Sequence, residues 1–83
     1  LAAIVAHMRR NPAGVRFADL CVVCDAYFGP PRQSGGSHRL YSTPWQGDPR
    51  VNIQSRRGMA KAYQVRQVLH AIDRLENLDA SDR

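Results

Sequence analysis

At 83 residues the chain has room for one domain, and a domain of this size buries only about 60% of the surface its unfolded form exposes. That excludes an enclosed cofactor pocket standing beside a second layer of regulatory structure. Twelve Lys and Arg against seven Asp and Glu give a net charge of +5 and an isoelectric point near 10.0, which favours a polyanionic partner, either nucleic acid or an anionic membrane surface.

The membrane reading fails on length, because no apolar run approaches the ~20 residues needed to span a bilayer. At the start of the chain Leu1, Ile4, Val5 and Met8 recur at spacings of three and four, one apolar stripe on a short helix. No basic residue precedes this stretch and Arg9-Arg10 follows it, which is not the order of a secretory leader. The expected compartment is therefore the cytoplasm. Asn11-Pro12-Ala13-Gly14 stops the helix, since proline lacks a donor and glycine permits turn dihedrals. Phe17, Leu20, Cys21, Cys24 and Phe28 repeat the helical spacing, and Gly29-Pro30-Pro31 closes it.

The middle of the chain changes period. Residues 32–34 are a short extended candidate bounded by Gly35-Gly36. Residues 37–43 alternate and carry Leu40, Tyr41 and Thr43, which suit a strand. Residues 44–49 are turn-rich and place Trp45 at a hairpin tip. Residues 50–54 alternate cleanly, with Val51 and Ile53 on one face and Asn52 and Gln54 on the other, a half-buried strand of an antiparallel meander. Val65, Val68, Leu69, Ile72 and Leu75 then make a continuous helical stripe, with Arg66, Gln67, Asp73 and Arg74 outside it. Residues 79–83 read as a frayed polar tail. Helix, helix, three strands, helix predicts an α+β fold: a three-stranded antiparallel sheet with helices packed on one face.

The run Gln33-Ser34-Gly35-Gly36-Ser37-His38-Arg39-Leu40-Tyr41 resembles the HicA toxins, whose helix, three-stranded meander and closing helix are those of double-stranded-RNA-binding domains. HicA proteins carry Gly-Ser-His followed by apolar or aromatic residues, after a short helix and an Arg-bearing first strand. Here Gly36-Ser37-His38 is the triplet, Leu40 and Tyr41 the apolar pair, and Arg32 the arginine of the preceding strand. Phe17-Ala18-Asp19-Leu20 is similar to the opening of the first family helix, Val51 and Ile53 to the third strand, and residues 65–69 to the start of the closing helix. The similarity covers about residues 15–76. It implies a HicA-like domain over residues 15–78, with residues 1–14 as an N-terminal helical extension. It also implies a metal-independent endoribonuclease that cuts mRNA without a cofactor and is held inactive by a HicB-like antitoxin. Many family members end the third strand with a Pro and a nearby His, where this chain has Gln54-Ser55-Arg56-Arg57.

Cutting RNA without a metal requires a base for the ribose 2′-hydroxyl, an acid for the leaving oxygen and stabilisation of the phosphate charge. Histidine suits the first two tasks because its pKa of roughly 6.5 makes both forms available near neutrality. His38 is the candidate catalytic residue, against the plainer reading of a solvated histidine beginning a strand. Gly35 and Gly36 let the backbone approach a phosphate, and Ser37 and Arg39 are candidate phosphate donors. Arg56, Arg57 and Lys61 fall in the loop before the last helix, where double-stranded-RNA-binding domains contact phosphates; they equally suit a solvated surface. Arg9-Arg10 reads more simply as surface, and His7 and His70 as ordinary helix residues. Cys21 and Cys24 sit within an apolar stripe and lack the further ligands a structural zinc needs, so core packing is expected and no metal site. Trp45 is a candidate for stacking on a base or docking into the antitoxin. The rival readings are a non-catalytic double-stranded-RNA-binding module, which has no need of His38, and a DNA-binding regulator, for which no helix-turn-helix pattern is evident.

Overall fold

Residues 1–45 and 51–81 are described by a computed structural model, with side chains in the last helix as far as Leu78. The first helix, α1 (Ala2–Arg10), ends where Asn11 leaves helical dihedrals, and Pro12–Gly14 tightens into one 3-10 turn. The second, α2 (Phe17–Phe28), stops at Gly29, whose φ of +79° a side chain would resist. There follow β1 (Gln33–Gly35), β2 (His38–Tyr41), β3 (Val51–Arg56) and β4 (Met59–Ala60), and α3 (Ala62–Ser81) completes the described fold.

The fold is α+β, but the antiparallel sheet has four strands, in the order β1-β2-β3-β4, rather than three. The added strand comes from the turn after Arg56. Arg57 and Gly58 both hold positive φ, 54° and 79°, a pairing whose twist matches that of the flanking strands. It returns Met59 and Ala60 onto Arg56 and Ser55. Beyond β4 the edge is covered by the segment before α2: Ala60 N–H donates to Val15 O at 2.8 Å and Phe17 N–H to Gly58 O at 3.0 Å. Arg32, placed by the sequence reading in the first strand, lies just ahead of it and donates its N–H to Leu40 O at 2.7 Å.

Alternation along the strands sorts the two faces. Tyr41, Val51, Ile53 and Ala60 turn inward and are buried with Leu20, Val23 and Cys24 of α2 and Val65, Val68 and Ile72 of α3. His38 and Asn52 turn outward and are exposed, with Gln54 half-buried beside them. The helices thus cover one face and leave the other to solvent.

The N-terminal extension, residues 1–14, packs on the rest of the fold. Met8 is fully buried in the common core, and Ile4 and Val5 pack against it. Arg9 bonds Asp73 of α3 at 2.8 Å, and His7 Nε2 lies 2.9 Å from Gly14 O, tying the helix to its own turn. At the other end α3 runs through Ser81, into the stretch read as a frayed tail; residues 82–83 lie outside the described residues. No helix among the described residues is long and apolar enough to cross a membrane.

Candidate functional site on the open sheet face

Gly36 and Ser37 form the tip between β1 and β2, with Gly35 paired to His38. Gly36 takes φ +54° there, a conformation open to glycine at little cost. The turn delivers His38 as the first residue of β2, exposed on the open face. Gly35, its neighbour on β1, carries no side chain, and nothing lies within 4 Å of where a Cβ would stand. That flank of the imidazole is accessible.

On the other flank, β3 supplies the partners. Gln54 stands directly across from His38 and Asn52 across from Leu40. His38 Nε2–H donates to Asn52 Oδ1, which orients the ring and leaves Nδ1 as its basic nitrogen. Gln54 Oε1 accepts from Lys61 Nζ at 2.9 Å, so the ammonium is held beside the imidazole's cross-strand neighbour. The backbone N–H of Gln54 donates to Oε1 of the buried Gln64 at 2.7 Å, fixing this part of β3 to the start of α3. Ser55 N–H donates to Ser37 O at 2.7 Å. The β2–β3 ladder therefore continues to the hairpin tip, and Arg56 runs alongside Gly36-Ser37 on the same face as His38. Arg57 follows at the exposed turn, and Arg16, bridged to Met59, adds a further exposed cation beside it. Among the described residues no carboxylate is bonded to any of these groups.

Of the residues singled out in the sequence, His38, Gly36, Ser37, Arg56 and Lys61 thus share one region, with Arg57 at its rim. Arg39 does not. Successive strand residues point to opposite faces, so Arg39 turns toward α2, its Nη1 3.7 Å from Asp25 Oδ2. There it joins Tyr41, whose hydroxyl donates to Asp25 Oδ1 at 2.5 Å. Burial, and then this bond to Asp25, push the Tyr41 phenol up from its ordinary range. Arg39 therefore lies with Asp25 and Tyr41 on the helix-covered side of the sheet, away from His38.

Trp45 is half-buried against the core, and the Arg74 guanidinium lies over its ring, 4.4 Å from the centroid; the rest of the turn in which the sequence placed it, residues 46–49, lies outside the described residues. Cys21 and Cys24 are buried free thiols, and burial pushes both up; a thiol held protonated is a poor nucleophile and a poor ligand. Among the described residues no group of three His, Cys, Asp or Glu is placed to hold a metal ion. Arg9 is engaged with Asp73, while Arg10 and His70 are exposed.

Asn52, Gln54 and Arg16 were not legible as site residues. Their one signal was the outward parity of Asn52 and Gln54 against Val51 and Ile53; which of them would meet His38 depends on register. Chemically, the face offers one oriented imidazole with an open flank, neutral amides beside it, and cations along the rim. No protein-family model matches the chain, and no curated protein or solved structure is significantly similar to it.

Proposed function

We propose that the chain is a HicA-like toxin, a metal-independent endoribonuclease that cuts mRNA in the cytoplasm with His38 as its catalytic residue. The observation that carries this reading is the setting of the imidazole. It is exposed, held through Nε2 by Asn52 and open on the Gly35 side, with Lys61 bonded to its cross-strand neighbour Gln54 and Arg56 two residues further along β3. In the proposed reaction Nδ1 takes the proton of a ribose 2′-hydroxyl as that oxygen attacks phosphorus. The bond from phosphorus to the 5′-oxygen breaks, and the departing oxygen takes a proton from water. The products are a 2′,3′-cyclic phosphate and a 5′-hydroxyl. Lys61 and Arg56 offset the charge that builds on the phosphate.

The test is cleavage of RNA by the purified chain in EDTA, beside a substrate carrying one 2′-deoxy sugar at the cut. Cleavage should persist under chelation and stop at the deoxy position. Loss of activity in EDTA that magnesium restores, or cutting of the deoxy substrate at the normal rate, would sink the mechanism.

The cations carry a second expectation. Arg56→Ala, Arg57→Ala and Lys61→Ala together should weaken RNA binding whatever the sequence, and each lost phosphate contact should flatten the log–log salt slope by about 0.7 for single strands. An unchanged slope would show that these side chains are merely solvated. A HicB-like antitoxin would silence the toxin most simply by covering this basic face, so RNA and antitoxin should compete for it. The rival reading, a non-catalytic double-stranded-RNA binder, draws on the cations Arg16, Arg56 and Arg57, which extend the basic surface past His38. Such a binder is indifferent to loss of the imidazole.

A further inference from the structure

Because β4 pairs only with Ser55 and Arg56, the edge of β3 from Val51 to Ile53 has no strand beside it among the described residues. Between this edge and α3 lies a cleft of about 430 Å³, within the ~300–1,000 Å³ range of small-ligand sites. Trp45, Val51 and Val68 give it apolar walls, Asn52 and Gln67 line it with amides, and Arg74 lies at the Trp45 end. Asn52 belongs to both places: its Oδ1 accepts from His38, while the residue itself lines the cleft.

We infer that this cleft is a nucleobase site, which takes the base next to the cut and sets the sequence preference. The inference rests on the reading of the protein as an RNA-cleaving enzyme, and adds to it where the substrate's base goes. A base is a flat body with apolar faces and an edge of donors and acceptors. The cleft answers both properties, with an indole and aliphatic walls for the faces and amides for the edge. The Asn52 carbonyl is engaged by His38, so its NH₂ is the part left to donate. Gln67 is exposed and its side-chain amide has no hydrogen-bond partner among the described residues, so it offers both a donor and an acceptor. Sequence-specific recognition of RNA usually takes this form, with an unstacked base laid against an aromatic or guanidinium plane and read along its edge. Contiguity through one residue makes the occupant the nucleotide adjoining the phosphate at His38. Arg66, also on the lining, adds a cation of the sign a phosphate backbone needs.

Trp45 is the single tryptophan of the chain, so its emission reports on the cleft without any need for turnover. The experiment uses the full chain carrying His38→Ala, so that RNA is bound but not cut. Four hexaribonucleotides, each of one base, are titrated while anisotropy of a labelled end follows binding and Trp45 emission follows the cleft. Trp45 emission should change on binding, and the affinities should differ between bases by roughly 5- to 150-fold, the usual range for a two-bond edge contact. Adding Gln67→Ala, an exposed helix position whose fold is checked by circular dichroism, should collapse that spread. RNA that binds with no Trp45 response and the same spread after Gln67→Ala overturns the base site and leaves the ribonuclease reading standing. A Trp45 response and a Gln67-dependent spread in a wild-type chain that never cuts RNA does the reverse. No binding of any hexamer overturns both.

Discussion

His38→Ala is expected to lower RNA cleavage by about 10²- to 10⁴-fold, the range over which a positioned acid–base group acts, and to leave the fold as it was. Both halves follow from the place of the residue. The ring begins an exposed strand on the uncovered face of the sheet, and among the described residues its one hydrogen bond is to Asn52, itself exposed. Removing it opens no cavity and strands no buried polar group, so the stability change should stay within about 0.5 kcal/mol. Asn52→Ala is a different case, because Asn52 orients the imidazole without moving a proton. Its loss should slow cleavage less than loss of His38 and change the pH–rate profile, which a purely structural role would not do. The measurements are single-turnover cleavage, the pH dependence of that rate, and thermal melting of each variant. A His38→Ala protein that melts normally and cuts at the wild-type rate would place the chemistry elsewhere.

The fold was legible wherever a period persisted over several turns. Val65, Val68, Leu69 and Ile72 define the buried stripe of α3, and the alternation of Val51 to Gln54 describes β3 as it stands. The fourth strand could not be read that way, since two residues, Met59 and Ala60, make no period at all. It exists because Arg57 and Gly58 reverse the chain within two residues. The helix α3 is longer than that stripe at both ends, beginning at Ala62 and running through Ser81.

The site was legible in part, for a related reason. Gly36, Ser37 and His38 are local to one hairpin, and their adjacency in sequence survives in space. Arg39 shows how adjacency misleads, since a step of one residue along a strand changes the face and carries the guanidinium to Asp25. Asn52 demanded a longer inference. Its partnership with His38 is a matter of register between β2 and β3, and register is set by burial of Tyr41, Val51 and Ile53 against the helices. Residues 46–50, within the stretch joining these strands, lie outside the described residues, so the register argument rests on the strands alone.

Met8→Ala is expected to cost about 2–5 kcal/mol, the usual range for truncating a fully buried large side chain. For a chain of 83 residues the whole folding free energy is only about 4–12 kcal/mol at 0.05–0.15 kcal/mol per residue. One side chain in a segment that resembles an extension would then hold a large share of the stability. The reason lies in how so small a core is assembled. The sheet and two helices enclose little volume, and α1 closes the remaining side, burying Met8 with Ile4 and Val5 against the same cluster as Leu20 and Ile72. Arg9, next in sequence, provides the contrast. Its bond to Asp73 holds that carboxyl below its usual range, yet both side chains are about half exposed, at 45% and 52%, and an ion pair in water contributes at most about 1 kcal/mol. Arg9→Ala should therefore melt close to the parent protein, whereas Met8→Ala should melt about 10 °C lower or more, since 1 kcal/mol shifts a domain of this size by roughly 4–8 °C. Thermal denaturation followed by circular dichroism decides between them. If Met8→Ala melts within about 3 °C of the parent, less than 1 kcal/mol is at stake there, and α1 contributes little to holding the core together.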